Sequence, residues 1–143
     1  MNASEHNLTK RRLLVVDDNP ANCTVLRIIL GKLGFAFDMI HSGEAALVHL
    51  GTTQDYDAIL MDLYMPHMDG YETTRCIRAM GGDLETLPIL AITADISPDI
   101  EARVKAAGFQ GYVPKPLSVK VLSDVLDEVL VPNRKKIRVL RDS

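Results

Sequence analysis

Three acids, a threonine and a lysine stand at the ends of short apolar runs. Asp17 and Asp18 follow LLVV, Asp62 closes AILMD, Thr93 closes ILAIT, and Lys115 comes directly after GYVP. Three carboxylates held together repel and raise one another's pKa unless a cation sits among them. Oxygen ligands of this kind suit a hard divalent ion, Mg²⁺ foremost, with Mn²⁺ tolerated. A lysine and a threonine beside a metal-bound carboxylate form a set suited to phosphoryl transfer, in which positioning and neutralisation of the equatorial oxygens do most of the work. The cation would take one oxygen, Lys115 another, and the Thr93 hydroxyl with nearby backbone N–H groups a third. That leaves Asp62 as a nucleophile able to form an acyl phosphate. Taken singly, each residue has a plainer role: a turn aspartate, a β-branched strand residue, a solvated lysine. Their shared position is what argues for a site.

The elements that must position them alternate along the chain. Strands are expected at Leu13–Asp17, Ala36–Ile40, Ala58–Asp62, Ile89–Thr93 and Gly111–Pro114, and helical periods fill the intervals, the pattern of repeated βα units and a parallel sheet. The first, third and fourth runs lack polar alternation, as strands covered on both faces do. Asn19 and Pro20 open the first helix, with Val25, Leu26, Ile29, Leu30 and Leu33 as its apolar stripe and Gly34 as its stop. Ser42 opens the second, which runs through Leu47 and Leu50. Asp69 and Glu72 resemble a capping box for the third, and Ser97-Pro98 begins the fourth with Ile100, Val104 and Ala107 inward. Ser118 caps the fifth, whose stripe is Val121, Leu122, Val125, Leu126, Val129 and Leu130, and Pro132 ends it. In an open α/β sheet the ligand crevice lies outside the carboxyl ends of the strands. Four of the five strands deliver a charged or hydroxyl group there.

Composition narrows the field further. With 143 residues, 47% apolar and 24% charged, the chain is long enough for one core that needs no disulfide or structural metal. Cys23 and Cys76 form no C-x-x-C pair and read as small hydrophobes in a reducing compartment. The histidines, His6, His41, His49 and His67, lack ligand spacing and read as surface or loop residues. A net charge of −3 gives no case for nucleic acid or an anionic membrane, although Arg134, Lys135, Lys136, Arg138 and Arg141 concentrate positive charge near the end. No apolar run suits a membrane span or a signal peptide, so the expectation is a cytoplasmic protein without membrane contact. Residues 1–11 read as a polar tail, 12–131 as the domain and 132–143 as a basic tail, taken as a solvated extension, a tether or a nucleic-acid contact.

The motifs VVDDNP at 15–20, MDLYMPHMDGYE at 61–72, ITA at 92–94 and the Lys-Pro pair at 115–116 resemble, in order and spacing, the receiver domain of two-component response regulators. The likeness runs from about Arg12 to Leu130. It implies a flavodoxin-like fold, a single doubly wound five-stranded parallel sheet of order 2-1-3-4-5 with five helices. It also implies that Asp62 accepts a phosphoryl group from a phosphohistidine donor, in a histidine kinase or a histidine phosphotransfer domain. Asp17 and Asp18 would bind the metal with Asp62 and the backbone carbonyl of Tyr64, while Thr93, Ala94 and Lys115 would contact the phosphoryl group. Thr93 and Tyr112 would form the switch, and Tyr64 and Asp95 would tune phosphate lifetime. The output surface would be the face of helix 4, strand 5 and helix 5, including Ile96, Ile100, Tyr112 and Leu117, used by a partner or a second copy.

Two rival readings, a flavin binder and a Mg-dependent aspartyl phosphatase, stay as alternatives that sit less well with the same residues. In a flavodoxin-type flavin binder the first βα loop must cradle a phosphate, which Asp17 and Asp18 would repel. An aspartyl phosphatase would carry a D-x-D nucleophile after strand 1, where this chain has adjacent acids, and a P-loop needs a G-x-x-x-x-G-K-[ST] that is missing. The dozen residues after the fifth helix are too few for an effector domain. The chain therefore reads either as a free-standing receiver, not itself an enzyme beyond its own phosphorylation and dephosphorylation, or as a receiver cut from a hybrid sensor histidine kinase.

Overall fold

A computed structural model of the chain describes residues 11–130; His6, Pro132 and the two tails beyond these bounds lie outside it. The elements run β1 (Arg12–Val16), α1 (Pro20–Leu33), β2 (Ala36–Ile40), α2 (Gly43–Leu50), β3 (Ala58–Asp62), α3 (Gly70–Ala79), a 3₁₀ turn (Gly82–Glu85), β4 (Ile89–Thr93), α4 (Ile100–Ala106), β5 (Gly111–Pro114) and α5 (Val119–Leu130). All strand pairs are parallel and the order is β2-β1-β3-β4-β5. Side chains alternate across the sheet into two cores. Leu14, Val16, Ile59 and Met61 face α2, α3 and α4, while Leu13, Val15, Leu60 and Ile92 face α1 and α5. Each fully buried Leu or Ile contributes roughly 1.5–3 kcal/mol over exposure. These cores hold the strand ends in register, and strand order reverses between β1 and β3, the position at which open α/β sheets bind their ligands.

Local chemistry sets the element ends. Asn19 Oδ1 accepts from the N–H groups of Ala21 and Asn22 (2.8 and 3.1 Å), and Gly34 closes α1 at φ 85°, a left-handed conformation that glycine adopts freely. Ser42, Asp69 and Ser118 each accept a backbone N–H three residues on, from Ala45, Glu72 and Val121.

The structure corrects several expectations. β1 ends at Val16, because the Asp17 carboxylate turns back to the N–H of Asn19 at 2.9 Å. α4 begins at Ile100 instead of Ser97: Asp95 engages both the N–H and the hydroxyl of Ser97, whose side chain is thus spent in the preceding turn. Val25 and Val121 are exposed, because each lies one residue (about 100°) from the buried line through Leu26 or Leu122. Cys23 takes the place on the α1 stripe expected of Val25. Ile100 is buried in the core and offers nothing to an outer surface, whereas Ile96 is 92% exposed.

Two helix starts are pressed close to their neighbours. A Cβ on Gly70 would lie 2.2 Å from the carbonyl oxygen of Asp62, and one on Gly43 would lie 2.1 Å from Thr73 Oγ1. Glycine lets α3 begin directly on the end of β3, and α2 directly against α3.

Candidate functional site

The carboxyl ends of β1 and β3 bring Asp17, Asp18 and Asp62 together, with one ligand oxygen from each lying within 4.8 Å of the others. Asp17 and Asp62 are buried, and Asp18 is the most open of the three. Asp17 Oδ1 accepts from the Asn19 N–H; Asp17 Oδ2 is buried with no hydrogen-bond partner among the described residues. A buried carboxylate oxygen without a donor is costly. Burial, and after it the charge of Asp62, raises the Asp17 pKa to about 6, against the opposing bond from Asn19. Asp62 is likewise raised by burial, opposed chiefly by Lys115. An orphaned oxygen, hard donors and crowded negative charge fit a divalent cation of the Mg²⁺ type.

The β4 and β5 ends supply the rest. Lys115 Nζ lies 3.4 Å from Asp62 Oδ1, both side chains mostly shielded from water. The Lys115–Pro116 peptide bond is cis. Thr93 is buried, and its Oγ1 accepts from the Asp95 N–H at 2.9 Å. Ala94 is exposed beside it, and Tyr64 lies two residues after Asp62 in the β3–α3 loop, its backbone N–H favouring the charged Asp62 carboxylate. Tyr112, half-buried on β5, packs against the core that holds Ile100 and Val104.

Residues without a role in the sequence reading stand beside the site or farther out along the sheet. Arg103 on α4 reaches Asp95, and Tyr64 Oη donates to the same carboxylate. Its i,i+4 spacing from Asp99 was the available signal, but that spacing pointed to an ordinary helix pair, which also exists at 3.4 Å. His41 places Nδ1 3.1 Å from the Asp17 carbonyl oxygen, beside Cys23. His49 shares a 2.6 Å hydrogen bond with Tyr56, which donates to Asp38 on the far edge of the sheet. Neither histidine joins the acid trio.

Such a sheet, with an acid at the switch point and lysine and threonine across from it, defines a phosphoacceptor signalling domain. The family model of the response regulator receiver domain matches residues 13–127, and the chain belongs to that family. The chain is 38% identical over 144 residues to probable histidine kinase 4 of Oryza sativa subsp. japonica, a match covering 87% of this chain and 14% of that protein. It is 36% identical over 113 residues to the CAI-1 autoinducer sensor kinase/phosphatase CqsS of Vibrio cholerae, covering 79% of this chain and 16% of that one. The chain thus spans only a small fraction of these kinases and is homologous to their receiver domains. Among solved structures, the receiver domain of a sensor histidine kinase from Pseudomonas aeruginosa PAO1 is 35% identical with a TM-score of 0.77, covering 85% of this chain and 98% of that one; it holds a magnesium ion in its active site cleft. Chemotaxis protein CheY4 of Vibrio cholerae is 28% identical with a TM-score of 0.78, covering 85% of this chain and all of that one. The five-stranded order 2-1-3-4-5 is the same receiver architecture. No helix among the described residues is long and apolar enough to cross a membrane.

Proposed function

We propose that Asp62 is the phosphoacceptor of this receiver and takes its phosphoryl group from a phosphohistidine in a histidine kinase or a histidine phosphotransfer domain. The observation that carries this reading is the placement of Asp62 at the switch point, with two further acids on one side and Lys115 Nζ 3.4 Å away on the other. Asp17, Asp18, Asp62 and the Tyr64 backbone carbonyl would hold Mg²⁺, or Mn²⁺ in its place. When bound, the cation supplies charge neutralisation at the carboxylates and at one phosphoryl oxygen.

Asp62 attacks phosphorus through a carboxylate oxygen, the P–N bond to the donor ring breaks, and the ring leaves as imidazole carrying a proton. Lys115 pairs with a phosphoryl oxygen, while Thr93 and the backbone at Ala94 receive another. Movement of the Thr93 hydroxyl toward that oxygen gives up its bond to the Asp95 N–H, and Tyr112 turns into the space released. This is a shift between two populations, read by whatever prefers one of them. The reader, a partner or a second copy, would dock on the face of α4, β5 and α5 near Ile96, Tyr112 and Leu117. The domain acts in the cytoplasm, and its similarity to receivers within sensor kinases favours a place in a hybrid kinase phosphorelay.

Intact mass spectrometry after incubation with acetyl phosphate and Mg²⁺, or with a phosphohistidine donor, tests the assignment. One added phosphoryl group, labile to hydroxylamine, is expected in the wild type and none in Asp62→Asn. A modification that survives Asp62→Asn overturns it.

A further inference from the structure

Beside the site, where Tyr64 and Asp95 each lie two residues past a strand-end residue of the set, three side chains from three segments are tied together. Tyr64 in the β3–α3 loop donates its hydroxyl to Asp95 Oδ2 at 2.9 Å, and Arg103 on α4 donates Nη2 to the same oxygen at 2.5 Å. The other oxygen, Asp95 Oδ1, accepts from the Ser97 N–H at 2.8 Å and from the Ser97 hydroxyl at 2.5 Å. With both oxygens engaged, Asp95 is held well below the ordinary carboxylate range, by Ser97 first and then by Arg103 and Tyr64. Tyr64 itself is 56% exposed, so packing does little to orient its ring and the bond to Asp95 does most of it. Arg103 Nε also lies 3.4 Å from Asp99 Oδ1, an ion pair without a hydrogen bond, so the firm hold on the guanidinium is the one to Asp95.

We propose that Arg103 is a positioning residue for the lifetime of the aspartyl phosphate: through Asp95 it holds the Tyr64 ring beside the site and limits the approach of water to phosphorus. The inference rests on Asp62 being the acceptor. In hydrolysis a water oxygen attacks phosphorus, the P–O bond to Asp62 breaks, and the carboxylate leaves as its anion. The water proton passes to solvent and inorganic phosphate is released. Arg103 touches none of the reacting atoms and acts only by where it keeps Asp95. The same carboxylate belongs to the residue whose N–H bonds Thr93 Oγ1, so the clasp also links the proposed switch hydroxyl to α4.

The test uses the full 143-residue chain, phosphorylated with acetyl phosphate and Mg²⁺, freed of the donor, and followed by intact mass spectrometry. Arg103→Ala shortens the half-life of the adduct about three- to tenfold, a modest change in barrier. Tyr64→Phe keeps the ring but cuts its tie, and shortens the half-life to a similar degree. The double variant decays no faster than the faster single one, because both break the same chain of contacts. Arg103→Lys, which keeps a cation for Asp95, restores the half-life toward wild type, and Lys105→Ala on the same helix leaves it unchanged. A merely structural role for Arg103 would lower the melting temperature without this pattern. An unchanged or longer half-life in Arg103→Ala, or additive effects in the double variant, overturns the inference while leaving Asp62 as acceptor. A wild-type chain that takes no phosphoryl group overturns the functional reading and this inference with it.

Discussion

Lys115 Nζ stands 3.4 Å from Asp62 Oδ1, farther than the roughly 2.7–2.9 Å of a tight charged hydrogen bond. The lysine is near enough to favour the ionised carboxylate without the short contact of a locked pair, a spacing that suits the proposed move of Nζ to a phosphoryl oxygen. Lys115→Ala is therefore expected to keep Mg²⁺ affinity, measured by calorimetry, while losing the response to phosphorylation. NMR shifts induced by beryllofluoride check the second half: shifts in Lys115→Ala as extensive as in the wild type would contradict the role.

The acid trio gives a pH dependence of definite sign. Burial pushes the Asp17 carboxyl up to about 6 in the folded chain, from 3.8 for an ordinary aspartate. Between those values the folded state binds more protons than the unfolded, so this group's contribution to the stability of the metal-free protein falls as pH rises. A cation competes with that proton. Added Mg²⁺ should therefore raise the melting temperature more at about pH 7.5 than at about pH 5, and equal shifts at both would contradict the arrangement.

Neutralising one acid should separate binding from stability. Asp18→Asn is expected to lose Mg²⁺ binding and, without metal, to gain on the order of 1 kcal/mol, since one repulsive partner is gone. Paired calorimetric titration and urea unfolding measure the two effects; unaltered Mg²⁺ affinity would remove Asp18 from the site.

Thr93→Ala should leave Asp62 open to phosphorylation but disconnect the rest. Hydrogen exchange with and without beryllofluoride is expected to change over α4, β5 and α5 in the wild type and much less in the variant. Changes confined to α1 and α2, or undiminished in Thr93→Ala, would break the proposed link through Thr93 and Tyr112.

Two glycines make a contrast in folding energy. Gly70→Ala drives a methyl against the Asp62 carbonyl oxygen, 2.2 Å away, and should cost on the order of 3 kcal/mol. Gly31→Ala on the exposed side of α1 meets nothing within 4 Å and should gain about 0.5–1 kcal/mol through helix propensity. Denaturant unfolding ranks the two.

The strands and their shared edge were legible because burial on both faces leaves uninterrupted Val, Ile and Leu runs, and because a polar residue ending such a run has few reasons to be there. Four of the five expected strands, from Ala36–Ile40 to Gly111–Pro114, coincide with β2 to β5. Strand order is different: composition and periodicity say nothing of which strand neighbours which, and only the family resemblance supplied 2-1-3-4-5. The start of α4 was misread because Ser97 looks like a cap until the side chain of Asp95, two residues earlier, is seen to claim it. Arg103 was invisible for a related reason. Its partners Asp95 and Asp99 are local in sequence, but Tyr64 lies 31 residues before Asp95, a juxtaposition made by the crossover from β3 to β4 and not by any periodic signal.

The close seating of Gly70 on β3 and of Gly43 on α3 divides the molecule mechanically. On that side Gly70 meets the β3 backbone and Gly43 meets the Thr73 side chain, and the α2–α3 pair has little room to travel, like the fixed jaw of a vise. Opposite it stand a seven-residue α4 without a side-chain cap and a loop carrying the fully outward Ile96. On the proposed reading, a push delivered at Asp62 meets one unyielding wall and one compliant wall, and two missing methyl groups turn the signal toward α4.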